Sequence, residues 1–144
     1  MGGFCGVIAK DDCVSDLFFG TDYHSHLGTH RGGMCVLGDK GFQRSIHNIQ
    51  NAPFRSKFER DVGDLAGRVG LGVISDTDPQ PLVMRSAHGT FAIVTVGLIT
   101  NIEELMGEMF EKNHLQLQYS TTMRNPGGCP VGLVWVRLVA CPAP

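Results

Sequence analysis

The strongest constraint on the fold is the alternation of short apolar segments with turn residues. Residues Met34–Leu37 and Phe42–Ile46 flank a Gly-Asp-Lys-Gly turn, which favours a β-hairpin. The segments Leu82–Arg85 and Thr90–Val96 flank a second turn that also ends in glycine. Two hairpins of this kind predict antiparallel sheet.

Two further apolar segments, Phe4–Lys10 and Arg68–Ile74, predict additional strands. Between them, apolar residues at helical spacing predict a helix from Val14 to about Leu27, capped by one of the two aspartates before it. The polar segment after Pro53 predicts a second, short helix. The Arg-Gly-Gly sequence that follows the first helix is expected to break it.

A third helix is predicted after Asn101, a suitable cap, with acidic residues in its first turn and Leu105 in its apolar stripe. The order of strand, helix, several strands and helix indicates an α+β fold with antiparallel sheets covered by helices. We assign residues 1–115 to one domain. Residues 116–144 contain prolines but no acidic residue, and we expect an atypical tail, either poorly anchored or the product of a truncated or frame-disturbed gene.

Composition excludes several classes of protein. The chain has 144 residues, 42% of them hydrophobic, with a net charge of −2 that provides no basic surface for nucleic acid. No apolar run approaches the roughly 20 residues of a membrane span, and no secretory signal is evident. Five cysteines without metal-type spacing indicate reduced thiols and a cytoplasmic protein. No helix is predicted after Gly70-x-Gly72, so we expect no dinucleotide cofactor.

Five short segments occur in the order found in one enzyme family. They are Phe4–Ile8 (FCGVI), His30–Met34 (HRGGM), Arg68–Gly72 (RVGLG), Gln80–Leu82 (QPL) and Gly97–Asn101 (GLITN). Together they resemble the Cys-Gly opening, the His-Arg-Gly segment, the strand before an arginine, the Gln-Pro segment and the Asn-Gly turn of class II glutamine amidotransferases. The amidophosphoribosyltransferase type is the most similar.

The resemblance implies the N-terminal-nucleophile hydrolase fold, with four layers in the order helix, sheet, sheet, helix and with Phe4–Ala9 as a central strand. It also implies glutamine hydrolysis that supplies ammonia for purine precursor synthesis, a phosphoribosyltransferase domain or partner, and a homo-oligomer. The residues that we expect in the core are Val7, Leu17, Phe18, Val73, Phe91, Ile93 and Leu105.

In this family the N-terminal cysteine attacks glutamine and its α-amine acts as the base, which places Cys5 as the nucleophile. Removal of Met1–Phe4 would be required to free that amine. The alternative is that Cys5 is a small buried hydrophobe of the first strand. The resemblance gives the backbone N–H of Gly97 an oxyanion role and places Arg31 in the wall of the site, with the following glycines supplying positive φ.

The chain departs from the family where glutamine binds. Ser75 falls at the arginine that pairs with the α-carboxylate, and a neutral hydroxyl cannot replace a guanidinium. Val96 falls at the oxyanion asparagine, which leaves only Gly97. The loop after Ser75 is short, and the Asp-Ser-Glu segment that binds the substrate amine is missing. Asp76 and Asp78 offer partial replacements for it, the alternative being solvated loop acids.

Three hypotheses remain open at this point. The first is a glutamine amidotransferase domain with weak or lost glutaminase activity, and the second is a non-catalytic regulatory or assembly domain of the same fold. The third is a metal site, because Asp22, His24 and His26 would share one face of a strand. On a helix, His26 and His30 would share a face instead. The single histidines His47 and His88 indicate no role.

Overall fold

A computed structural model describes residues 2–28, 30–76, 78–86, 89–97, 100–101, 104 and 138–139. The elements are β1 (Gly3–Ile8), α1 (Val14–Tyr23), a 3-10 turn (Ser25–Leu27), β2 (Arg31–Gly38), β3 (Gly41–Asn48), α2 (Phe54–Asp64), β4 (Val69–Ser75), β5 (Leu82–Ser86), β6 (Gly89–Ile93) and β7 (Leu138–Val139). They form two antiparallel sheets, with strand orders β1-β4-β2-β3 and β5-β6-β7.

The two sheets pack face to face, and both described helices cover the outer face of the first sheet. Leu17, Phe54 and Phe58 of the helices pack on Met34 and Ile74. The opposite face of the first sheet packs against the second sheet through Cys35, Leu71, Val73, Ala92 and Val94. We call these two sides of the first sheet the helix face and the inter-sheet face. The fold is therefore α+β, with helix, sheet and sheet layers, as expected. The helix predicted after Asn101, including Leu105, lies outside the described residues.

The expectation that β1 is a central strand is wrong for the described sheet, because β1 lies at its edge beside β4. Residues Gly70–Ser75 of β4 are buried on both faces, as a central strand requires. On β1, by contrast, Gly6 is exposed and Ile8 is 79% exposed. Both strands are apolar in sequence, so hydrophobicity did not distinguish the edge from the centre.

The first helix begins as expected but is shorter. Asp12 accepts hydrogen bonds from the backbone N–H groups of Val14 (3.0 Å) and Gly67 (2.9 Å), so it fixes both the start of α1 and the approach to β4. The α-helix ends at Tyr23, and the 3-10 turn replaces its predicted continuation to Leu27. α1 approaches β4 closely because Gly70 and Gly72 lie beneath it: a Cβ on Gly70 would be 2.6 Å from Leu17, and one on Gly72 would overlap Thr21.

Both predicted hairpins are present. The turn between β2 and β3 ends at Gly41, with φ of 87°, and β6 begins at Gly89, with φ of 108°. Both values lie in the region where glycine is favoured. Leu138 and Val139 of the predicted tail pair with β6 as β7. The rest of the tail lies outside the described residues.

The core prediction holds for Leu17 and Val73, which are fully buried, while Val7 and Phe18 pack on the core partly exposed. On β6 the predicted face is reversed. Ala92 and Val94 are buried between the sheets, whereas Phe91 and Ile93 are only partly buried on the other face. The segment is apolar on both faces, so alternation did not indicate which side turns inward.

Candidate functional site

Three of the five family-like segments, and Val96 directly before a fourth, lie at one end of the two-sheet sandwich. In the first sheet, Gly3 is opposite Ile74 and Arg31 is opposite Ser75, so β1 and β2 begin where β4 ends. A Cβ atom built on Gly2 would overlap the carbonyl oxygen of Ile74 and lie 3.5 Å from Cγ1 of Val96. The segment after β6 therefore reaches the same end, which we call the site end.

The Gln-Pro segment joins the two sheets at the site end. Gln80 is 2% exposed, and its side-chain Oε1 accepts a hydrogen bond from the N–H of Thr95 at 2.6 Å. Its Nε2 donates to the carbonyl oxygen of Thr95 at 3.1 Å. The guanidinium of Arg44 on β3 donates to the carbonyl oxygen of Pro81 at 3.2 Å. These contacts give the Gln-Pro segment a structural role.

The Arg-Gly-Gly sequence does not form the expected turn, because it lies within β2. Neither Gly32 nor Gly33 adopts a positive φ. The glycines are required by close approach instead. A Cβ on Gly32 would lie 2.8 Å from the ring of Phe54, and a Cβ on Gly33 would overlap the carbonyl oxygen of Gln80. The expectation of positive φ is therefore wrong. Glycine is required at position 32 because α2 packs closely there, and at position 33 because the backbone of Gln80 does.

Arg31 and Ser75 are direct cross-strand neighbours. Strand alternation places both on the inter-sheet face, with Gly33 and Val73 two residues further along their strands. Ser75 is 7% exposed and Arg31 is half-buried. Arg31 is thus the cross-strand neighbour of Ser75, the position at which the family resemblance predicts an arginine.

Two aspartates follow Ser75 in the connection to β5. The backbone carbonyl of Asp76 lies 2.6 Å from Nδ1 of His30, which joins this connection to the residue before β2. Asp78 is 7% exposed and Asp76 is half-buried. The alternative that both are solvated loop acids therefore does not describe Asp78.

Cys5 is the third residue of β1 and lies opposite Gly72. A Cβ atom on Gly20 of α1 would be only 2.5 Å from its Sγ, so the thiol points to the helix face. Arg31 and Ser75 occupy the other face of the same sheet. Burial raises the pKa of the Cys5 thiol above its ordinary value. Cys5 therefore lies within its strand, on the opposite face of the first sheet from Arg31 and Ser75.

The aspartate and histidines of the metal hypothesis have separate surroundings. Asp22 accepts a hydrogen bond from Nε of Arg55 at 2.7 Å, His30 contacts Asp76, and Nδ1 of His24 is buried without a hydrogen-bond partner. Among the described residues, no group of three or more His, Cys, Asp and Glu side chains is placed to hold a metal ion. This part of the chain gives the metal hypothesis no support.

One polar cluster was missed by sequence reasoning. On the helix face, Ser45 Oγ donates to Asp61 Oδ2, and Nε2 of His47 lies 2.5 Å from the same carboxylate oxygen. The His47 ring contacts Phe58 edge-on at 4.8 Å. A hydrolase triad needs the two nitrogens of histidine to contact different partners. Here serine and aspartate both meet Nε2, so the cluster ties α2 to β3. The only sequence signal was the alternate spacing of Ser45 and His47.

No protein-family model matches the chain, and no curated protein sequence matches it. Solved structures do. Glutamine phosphoribosylpyrophosphate (PRPP) amidotransferase from B. subtilis, complexed with ADP and GMP, aligns over 85% of this chain and 27% of its own, with 17% identity and a TM-score of 0.64. A structure described as the allosteric regulatory enzyme of purine biosynthesis aligns over 81% of this chain and 26% of its own, with 16% identity and a TM-score of 0.66.

These likenesses define the fold as that of the N-terminal-nucleophile hydrolases. In fold, the chain resembles the glutaminase domain of the PRPP amidotransferases. It spans about a quarter of the length of the two chains described above. No helix in the described part of the chain is long and apolar enough to cross a membrane.

Proposed function

We propose that the chain is a glutamine amidotransferase domain of the amidophosphoribosyltransferase type whose glutaminase activity is weak or lost. The fold likeness supports the domain type, and the gathering of the family-like segments at the site end supports a ligand site there. In the active form of such a domain, glutamine hydrolysis would supply ammonia for purine precursor synthesis. A phosphoribosyltransferase domain or partner would consume it, in a homo-oligomer.

The position of Cys5 is the observation that carries the loss of activity. Its thiol faces α1, on the opposite side of the first sheet from Arg31 and Ser75. The thiolate is the nucleophilic form, and the raised pKa of this thiol reduces its population near neutral pH. The α-nitrogen of Cys5 could act as the base only if Met1–Phe4 were removed.

The second support is the missing amide at Val96. This side chain packs partly buried on the inter-sheet core and offers no hydrogen-bond donor. Loss of one oxyanion donor typically lowers the rate by about 10²–10³. Gly97 would supply a backbone N–H at most. Even with Cys5 freed and reoriented, the chemical step would therefore be slow.

The experiment measures two quantities on the purified chain. The first is the mass of the mature N-terminus, which shows whether Cys5 has become the first residue. The second is ammonia release at millimolar glutamine, compared with the Cys5→Ala and Cys13→Ala variants. We expect no release above the Cys5→Ala background. Release that depends on Cys5 but not on Cys13, the buried thiol at the start of α1, would contradict the loss of activity.

The second candidate function is a purely regulatory or assembly domain, favoured by the same placement of the Cys5 thiol against Gly20. A diazoketone analogue of glutamine separates the two. Covalent labelling of Cys5 would show that the site still brings glutamine and thiol together. A chain that retains Met1 and is not labelled would favour the non-catalytic domain.

A further inference from the structure

Among the described residues, the outer edge of β1 is an open strand edge that lacks the usual protection against pairing. β1 and β3 are the two edge strands of the first sheet. β3 carries the exposed charge of Arg44, whereas β1 (GFCGVI) contains neither a charged residue nor a proline. Charges, prolines and bulges commonly keep an exposed strand edge from pairing with another chain. The β1 edge is therefore suited to pair with a further strand.

The hydrogen-bonding pattern determines which residues of β1 face this edge. The N–H of Ala9 donates to the carbonyl oxygen of Arg68 at 2.8 Å, in the same register as the pairs between β1 and β4. Bonded pairs alternate with unbonded pairs in an antiparallel ladder, so the odd-numbered residues of β1 bond to β4. The even-numbered residues, Phe4, Gly6 and Ile8, therefore direct their N–H and C=O groups toward the open edge.

This edge is self-complementary about Gly6. When two copies pair antiparallel with Gly6 opposite Gly6, Phe4 of each copy lies opposite Ile8 of the other. Every residue that faces the edge then exchanges both backbone hydrogen bonds with its partner. The Ile8 side chain, which is 79% exposed in one copy, is covered by Phe4 of the other. Because Gly6 has no side chain, nothing obstructs the pairing at its centre.

We propose that two copies of this chain associate through β1, in a two-fold dimer that joins the two first sheets into one continuous antiparallel sheet. Pairing of identical edges is closed, so it adds no third copy. α1 lies above β1, since Gly20 is against the Cys5 thiol, and Tyr23 on the same side of α1 is 74% exposed and adds apolar contact. The inference goes beyond the proposed function, because it depends on the β1 edge and on no glutamine chemistry.

Sedimentation equilibrium on the full chain, which separates one 15.6-kDa chain from two, tests the association. We expect the wild type to dimerise and Gly6→Lys to weaken the dimer about 10- to 100-fold, because two like charges would lie directly opposite each other. The monomer should tolerate this change, since a Cβ at position 6 would meet only Cδ2 of Leu71, at 3.6 Å. Gly63→Lys adds the same charge at an exposed glycine of α2 and is the matched control, which should leave the dimer unchanged.

A mixture of variants tests the register and guards against misfolding as the cause of any loss. Gly6→Lys and Gly6→Asp should each dimerise poorly, whereas an equimolar mixture of the two should form a heterodimer, because opposite charges then face each other across the axis. Far-ultraviolet circular dichroism would check that each variant is folded. Two folded variants that do not associate when mixed would overturn the pairing about Gly6.

Two further results would overturn the inference, whatever the ammonia assay shows. One is a wild type that stays monomeric at about 100 µM, a concentration at which even weak specific dimers form. Pairing of β1 with another segment of the same chain would give this result. The other is a dimer that Gly6→Lys weakens no more than Gly63→Lys does, which would place the contact on a different surface.

Discussion

The side-chain amide of Gln80 pairs with the backbone of Thr95 as a strand residue would, accepting from its N–H at 2.6 Å and donating to its carbonyl at 3.1 Å. Thr95 lies just past the end of β6, so the glutamine side chain continues the ladder where the main chain has turned away. The contact continues the pairing of β5 with β6 toward the site end, where Val96 lies near Gly2.

Replacing Gln80 should therefore destabilise the protein. Gln80→Ala leaves the backbone N–H and C=O of Thr95 without partners in a partly buried place, and we expect a loss of about 2–3 kcal/mol in the free energy of unfolding. Urea unfolding followed by fluorescence would measure it. Gln43→Ala is the matched control, because its amide makes an exposed hydrogen bond to Ala66 (3.0 Å) that should contribute less than about 1 kcal/mol. Equal effects of the two variants would contradict the buried ladder role.

Gly33→Ala tests the close approach of the two sheets. The added methyl group would overlap the carbonyl oxygen of Gln80, which is main chain and cannot rotate away. We expect a cost of about 1–3 kcal/mol or more, from forced backbone shifts. Gly63→Ala on α2 is the control with opposite sign. No atom lies within 4 Å of its added Cβ, so the better helix propensity of alanine should stabilise the protein by about 0.5–1 kcal/mol.

The cluster of Ser45, His47 and Asp61 should couple α2 to β3 energetically. A double-mutant cycle on His47→Ala and Asp61→Ala should give an interaction energy in the upper part of the range of about 0.5–3 kcal/mol found for contacting residues. The two side chains are only 35% and 27% exposed. The pair Arg55–Asp22, whose side chains are 65% and 17% exposed, should give about 0.2–1 kcal/mol in a parallel cycle, because the arginine lies largely in solvent. An interaction energy for His47 and Asp61 that is smaller than that for Arg55 and Asp22 would show that the cluster does not couple α2 to β3.

How far the sequence predicts the structure depends on whether the signal is local. Turn chemistry is local, and both hairpins and the start of α1 at Val14 were predicted correctly, although the N-cap position is Cys13 and Asp12 contacts the helix from the residue before it. The inward face of β6 was wrong, because Phe91 and Ala92 are both apolar and only packing against the first sheet distinguishes them. Strand order is non-local as well, so β1 was placed at the centre instead of the edge.

The candidate site shows the same division. The family-like segments predicted that Arg31 and Ser75 belong to one site, but they did not reveal that the two residues are cross-strand partners. The direction of the Cys5 side chain depends on the face of β1 to which position 5 belongs and on the packing of α1. The Cys-Gly motif specifies neither of them. Asp61 is distant in sequence from Ser45 and His47, so their cluster could not be predicted.

The reactivity of the thiols provides the last prediction. Burial raises the pKa of Cys5, Cys13 and Cys35, and that of Cys35 to about 11. A raised pKa leaves less thiolate at a given pH, so alkylation by iodoacetamide should accelerate about tenfold per pH unit without a plateau below pH ~9. Peptide mapping by mass spectrometry would follow each cysteine separately. Cys5 should react first because it is only half-buried, and Cys35, at 2% exposure, should react last. An activated nucleophile would instead reach its plateau near neutral pH. A plateau for Cys5 at pH 7, absent from Cys13 and Cys35, would mean that the thiol leaves its place against Gly20 and is activated, and the proposed loss of glutaminase activity would then be wrong.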